Sequence, residues 1–110
     1  MAYLTNCKVN EGFRVSTGDN TIDVIVKRVY GSKSFKRAEV VVSDGKDVEV
    51  VTIERYETPY SIREDLRVGV ADRQGRGHER ISLYCDAPRK YKIDPIRDIN
   101  LTTSSLQPIS

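Results

Sequence analysis

Two stretches of this chain carry the side chains best suited to chemistry. Asp72-Arg73-Gln74-Gly75-Arg76-Gly77-His78-Glu79-Arg80 presents Arg73, Arg76 and Arg80 around a glycine turn, and Arg89-Lys90-Tyr91-Lys92 interleaves cations with an aromatic ring. Arginine forks match phosphate oxygens, and glycines let the backbone approach a ligand closely. Tyrosine rings offer flat surfaces on which exposed bases stack. The chemistry on offer is therefore non-covalent capture of a nucleic-acid strand. Each cluster alone fits a solvated hairpin turn equally well. On a strand Lys90 and Lys92 share one face while Tyr91 takes the other, so Tyr91 is assigned to the core.

Covalent chemistry is poorly supplied. The sequence holds no phosphate loop, dinucleotide fingerprint, zinc spacing or histidine-based triad with a nucleophile. His78 is the single histidine and sits in a turn, and Glu11, Glu54, Glu57, Glu64 and Asp65 supply carboxylates without a pair that stands out. Neither enzyme activity nor a cofactor or metal is expected. Cys7 and Cys85 are distant in sequence and are read as reduced strand residues. A net charge of +2, with 31% charged and 38% hydrophobic residues, describes an ordinary soluble protein and does not by itself point to nucleic acid. No apolar run approaches the roughly 20 residues of a membrane span. The opening Met1-Ala2-Tyr3-Leu4-Thr5 lacks the layout of a signal peptide, so a cytoplasmic location is expected.

The elements that would position these residues are strands. β-Branched residues alternate with polar ones in Thr21-Ile22-Asp23-Val24-Ile25-Val26 and Asp65-Leu66-Arg67-Val68-Gly69-Val70, and turn chemistry falls between such runs, as in Thr17-Gly18-Asp19-Asn20 and Ser43-Asp44-Gly45. The pattern predicts strands over 2–8, 12–16, 21–30, 35–43, 47–55, 59–63, 65–73, 78–86 and 90–94. The fold class is all-β, a small antiparallel barrel or sandwich. Asp94-Pro95-Ile96 is expected to open a short C-terminal helix, since proline is tolerated in a first turn after an aspartate cap. Residues 1–100 are read as a single β domain and 101–110 as a mobile tail.

The strands repeat. Val40, Val42, Val48 and Val50 match Leu83, Cys85, Tyr91 and Ile93, each 43 positions on, and Ile22, Val24 and Val26 match Leu66, Val68 and Val70, 44 positions on. Two degenerate copies, about 3–55 and 50–99, would share one core, with Val50 to Arg55 closing the first and opening the second.

These residues resemble the carbon storage regulator family of small bacterial translational regulators. Leu4-Thr5-Asn6-Cys7-Lys8-Val9-Asn10-Glu11-Gly12-Phe13-Arg14-Val15 is similar to that family's first strand, turn and second strand. Thr21 to Gly31 resembles its third strand, and Ile81-Ser82-Leu83-Tyr84-Cys85-Asp86-Ala87-Pro88-Arg89-Lys90-Tyr91-Lys92-Ile93 its fourth strand, alanine-proline turn and fifth strand. Family members are about half this length and form intertwined homodimers with exchanged strands. The resemblance implies that this chain is such a dimer in one polypeptide, a monomeric pseudo-dimer rather than a homodimer. It also implies single-stranded or hairpin RNA of GGA type as partner, held between the first and fifth strands. Carried over by position, the RNA-binding residues are Leu4, Thr5, Lys8, Ala87, Pro88, Arg89, Lys90 and Arg97. Asp94-Pro95 stands where the family has a key arginine, with Arg97 close by. Arg73, Arg76 and Arg80 form a second basic patch.

The expected function is regulation of translation by occupancy of RNA, or by interference with a regulator of that kind through a protein contact. The alternative is a viral-type structural or assembly protein that uses β-edge contacts between subunits. Salt separates the two, since phosphate-mediated binding weakens steeply as salt rises and edge pairing does not.

Overall fold

A computed structural model describes residues 2–31, 36–55, 58–71 and 80–97. They form nine strands: β1 (Ala2–Cys7), β2 (Gly12–Thr17), β3 (Asn20–Gly31), β4 (Lys36–Ser43), β5 (Val48–Glu54), β6 (Tyr60–Arg63), β7 (Leu66–Val70), β8 (Ile81–Asp86) and β9 (Lys92–Ile96). Most follow the alternation read from the sequence, with exceptions at Ile25 of β3 and Gly69 of β7, each buried between buried neighbours. In β4 the pattern is strict: Lys36, Ala38, Val40 and Val42 are buried while Arg37, Glu39, Val41 and Ser43 are not. Arg73, Arg76 and the expected mobile tail lie outside the described residues.

Two antiparallel sheets face one another, one ordered β1-β8-β7-β6 and the other β5-β4-β3-β2-β9. One apolar cluster fills the space between them and draws on both halves of the chain, from Cys7, Phe13, Val15, Val24 and Val40 to Leu66, Val68, Leu83 and Cys85. The Tyr3 ring of β1 meets the Phe13 ring of β2 across the sheets at 6.0 Å. Both cysteines are buried free thiols, and burial pushes Cys85 up to about 12, which holds it protonated at neutral pH.

The strand order shows how the repeats share that core. β1 pairs with β8 of the second half, and β9 of the second half pairs with β2 of the first. Each repeat therefore lends a terminal strand to the other. The registers of the central strands agree: Val42 lies opposite Val24 and Cys85 opposite Val68, the shifts of 43 and 44 positions found in the sequence. Val48 and Val50, matched in sequence to Tyr91 and to Ile93 of β9, instead lie beside β4 and not beside the counterpart of β2. β5 takes the place beside β4 that β1 takes beside β8, with Val50 opposite Val41 as Leu4 is opposite Tyr84. Side-chain exposure follows the same correspondence. Leu4 and Val50 point to solvent, whereas Cys7 and Ile53 are buried. Because β5 is used there, β6 has no outer neighbour corresponding to β9 among the described residues.

The short helix expected from Asp94 does not form. Asp94, Pro95 and Ile96 instead lengthen β9, opposite Arg14, Phe13 and Gly12. The hydrogen-bond phase explains how proline is accommodated. Val26 donates its N–H to the Glu11 carbonyl at 2.8 Å, so odd-numbered residues along β2 bond towards β3 and even-numbered ones towards β9. Pro95, opposite the odd-numbered Phe13, sits where no N–H is required of it.

Candidate nucleic-acid interface

Two seams run where the edges of the sheets approach one another. β1 and β9 border the first, and β5 and β6 border the second. The residues assigned to RNA belong to the first seam but divide between its ends.

At one end, beyond Cys7, the chain turns through Lys8 and Asn10. Asn10 adopts φ 73°, a left-handed conformation that asparagine tolerates, and it and Glu11 both oppose Val26 in a bulge. The bulge turns the Glu11 carboxylate into a buried position, where Oε1 accepts the Lys8 N–H at 3.1 Å. Nη1 of Arg80 and Nη1 of Arg97 each lie 3.8 Å from the same oxygen. Arg80 also donates to Asn6 Oδ1 at 3.3 Å, and Asn6 Nδ2 donates to Ser82 Oγ at 3.0 Å. Arg97 donates to the Asn6 carbonyl at 3.2 Å, which ties the end of β9 to the edge of β1. Lys36, buried and pushed below the ordinary lysine range by loss of solvent, donates through Nζ to the Arg80 carbonyl. Two guanidiniums around one carboxylate leave this corner net positive and fixed in place.

At the other end, beside Ala2 and Asp86, lies the turn from β8 to β9. Ala87 is buried, whereas Pro88, Arg89 and Lys90 are exposed, and Tyr91 donates its N–H to the Pro88 carbonyl at 3.1 Å to close the turn. Lys90 forms an ion pair with Asp65 at 2.9 Å, which raises the lysine and lowers the carboxyl. The Tyr91 hydroxyl donates to the same carboxylate at 3.0 Å while its ring packs against the core. Arg89 is the exposed guanidinium of this turn.

Between the ends runs the edge of β1. Leu4 is 68% exposed and lies beside Tyr84, whose ring covers Gly69. Thr5 points inward, and its Oγ1 accepts a weak bond from Cys7 Sγ at 3.8 Å. Ala71 donates its N–H to the Ser82 carbonyl, so odd-numbered residues of β8 bond towards β1 and Leu83 takes up the backbone of Thr5. Thr5 therefore offers a ligand neither side chain nor backbone, and Ala87 only its backbone. Arg80 lies beside Asn6 and Arg97 and so joins the first group of residues. The part played by Asn6 and Glu11 escaped the sequence reading, because their neighbours come from distant positions. Asp94, opposite Arg14 on the outer face of β9, stands beside a guanidinium that is also 2.7 Å from Asp23.

The second seam has the opposite character. Ile22, Val42 and Ile62 floor a cavity of about 190 Å³ rimmed by Asp44, Asp47, Glu49, Tyr60 and Arg63. The Tyr60 hydroxyl donates to both oxygens of Glu49 at 2.8 and 2.5 Å, and this pushes the phenol up to about 12 from an ordinary value of 10.0. A raised folded value means that the contribution to stability is fully present below the unfolded pKa of 10.0 and is lost as pH rises towards 12. Glu49→Gln should return Tyr60 towards ordinary titration, read by tyrosinate absorbance or by NMR of ring-labelled protein. An unchanged Tyr60 titration in that variant would dismiss the contact.

Against known proteins, the chain matches no family model, no curated protein and no solved structure.

Proposed function

We propose that this chain is a single-chain, two-copy relative of the carbon storage regulators that binds single-stranded RNA along the β1–β9 seam. The observation that supports this reading is the exchange of terminal strands between the two repeats. Exchange sets the exposed edge of β1 beside the end of β9, with Arg80 and Arg97 at one end of the seam and Arg89 at the other. Leu4 and Tyr84 supply apolar and aromatic surface, and Lys8 adds a further cation at the Arg97 end. Bases would lie against Leu4 and the β1 backbone while the guanidiniums hold phosphates. Covering RNA in this way blocks whatever else must read it.

The two seams are not equivalent, so stoichiometry tests the reading. Asp44, Asp47 and Glu49 give the β5–β6 side acidic walls that repel phosphate. One RNA per chain is expected.

Anisotropy titrations with a labelled GGA-containing hairpin provide the experiment. Contacts from three or four cations give affinity that weakens roughly 20- to 50-fold between about 50 and about 200 mM salt. An RNA that binds two per chain, or whose affinity ignores salt, would sink the proposal.

A further inference from the structure

The two sheets end on four edge strands, and three of them carry features that deter pairing with another chain. β1 has its Asn6 carbonyl occupied by Arg97. β6 is four residues long, with a register shift between Ser61 and Arg63. β9 contains Pro95 between the charged Lys92 and Asp94 and the last strand residue. Short strands, bulges, charges and proline are the usual means of protecting an exposed edge.

β5 has no proline and no bulge, and of its two charges Glu54 stands at the end of the strand while Glu49 is engaged by Tyr60. Its seven residues, Val48-Glu49-Val50-Val51-Thr52-Ile53-Glu54, pair with β4 without interruption and contain no proline. Five of the seven are β-branched, which favours an extended chain. Val48 is 67% and Val50 59% exposed, in a molecule whose other apolar residues are mostly buried.

The backbone phase is also defined. Asp44 N–H donates to the Asp47 carbonyl at 3.2 Å and Arg55 N–H to the Lys36 carbonyl at 3.0 Å. Both bonds belong to the register that sets Val41 opposite Val50. Odd-numbered residues of β5 therefore bond to β4, while Val48, Val50 and Thr52 turn their N–H and carbonyl groups outward.

We propose that β5 is the interface of a two-fold dimer of this chain, in which two copies of β5 pair antiparallel about Val50. An isologous contact requires each residue to meet its symmetry mate, and this register satisfies it. Val50 faces Val50 of the second copy, and Val48 faces Thr52 of the second copy. Lys46, just ahead of the strand, lies opposite Glu54 of the second copy, so the pairing carries opposite charges at both ends. The groups brought together are the outward-facing ones, so the β4–β5 ladder stays intact. The two five-stranded sheets become one sheet across the axis. A single strand edge is a small interface, so the dimer dissociates on dilution. It lies on the opposite side of the molecule from the β1–β9 seam and does not depend on RNA.

Sedimentation velocity over a concentration series tests this, with amide exchange by NMR as a second readout. The wild-type chain should pass from monomer to dimer on concentration, with the Val48, Val50 and Thr52 amides gaining protection. Val50→Lys places like charges on the axis and should abolish dimers while leaving the circular dichroism spectrum unchanged. Lys46→Glu and Glu54→Lys should each weaken association roughly tenfold, since each creates two like-charge contacts per dimer. The double variant restores opposite charges and should recover the wild-type constant to within about threefold. A wild-type chain that stays monomeric up to about 1 mM, the low-affinity end of measurable association, would overturn the proposal. So would a dimer that survives Val50→Lys, or a double variant no better than its parents.

Discussion

Gly12→Ala is expected to destabilise this protein by about 3 kcal/mol or more. Gly12 opens β2 opposite Ile25, and a methyl group there would lie 1.8 Å from the Val24 carbonyl oxygen, 2.8 Å from its carbon and 3.0 Å from the Ile25 Cα. All three are backbone atoms of β3, so no side-chain rotation relieves the clash. The two strands would have to separate beside the bonds that Val26 makes to Glu11 and receives from Asn10, both at 2.8 Å. Overpacking a core typically costs about 1–3 kcal/mol and occasionally more. A rigid backbone obstacle belongs at the upper end, about 3 kcal/mol or above, a large share of the stability of a domain this size. Gly45→Ala is the contrasting case: φ is 95° and no atom lies within 4 Å, so only the left-handed backbone opposes the methyl group. That should cost about 1–2 kcal/mol. Urea denaturation of both variants checks the order, and a Gly12→Ala protein as stable as Gly45→Ala would refute the packing argument.

Gly12 also marks where sequence reading runs out. Glu11-Gly12 reads locally as a turn, but the glycine is required by the approach of a strand that lies more than ten residues away. The nine strands were legible because each has one wet and one dry face, and burial of alternate side chains is a local pattern. β3 departs from strict alternation at Ile25, buried between Val24 and Val26, and again at the bulge at Lys27, between Val26 and Arg28, where one added residue turns Val29 back towards the core. Pro95 misled for a physical reason: a proline after aspartate suits a helix start and an edge strand equally, and only the hydrogen-bond phase of β2 decides between them.

The candidate site was legible in its parts and not in its assembly. Leu4, Lys8, Arg89 and Arg97 lie along one seam, but nothing local to Arg80 reveals that it meets Asn6, 74 positions earlier. Edge status is likewise invisible in a strand's own residues. Val50 and Val40 look alike in sequence, yet one is 59% exposed at a sheet edge and the other is fully buried. The repeat resolves part of this ambiguity, since β5 and β9, matched in sequence, both lie at an edge. It also isolates what differs between the copies. β9 closes the seam beside β1, whereas β5, matched in sequence to β9, takes beside β4 the place that β1 has beside β8 and leaves β6 without such a neighbour among the described residues. One scaffold thus presents a basic seam and an acidic one, and the proposed RNA site is the first.

Arg97→Ala should cause the largest loss of RNA affinity, roughly 10- to 100-fold, as expected when a charged hydrogen-bonding group is removed from a bound anion. The side chain is 58% exposed, so its removal should change stability by no more than about 0.5 kcal/mol. Its effect on RNA is amplified by Glu11. That carboxylate lies 3.8 Å from both Arg97 and Arg80, and with Arg97 gone a single guanidinium must offset it at the point where phosphate arrives. The local field then turns from attraction towards neutrality. Arg97→Lys retains the charge but not the planar fork that already engages the Asn6 carbonyl, and should fall between wild type and Arg97→Ala. Glu11→Gln preserves an oxygen to accept the Lys8 N–H while removing the negative charge. Added to Arg97→Ala, it should recover a substantial part of the lost affinity, measured by anisotropy at fixed salt. Arg97→Ala should also make the salt dependence shallower by about 0.7 in logarithmic slope, the value of one phosphate contact on a single strand. If Arg97→Ala binds as wild type does, the β1–β9 seam is not where RNA sits, whatever the overall affinity of the chain.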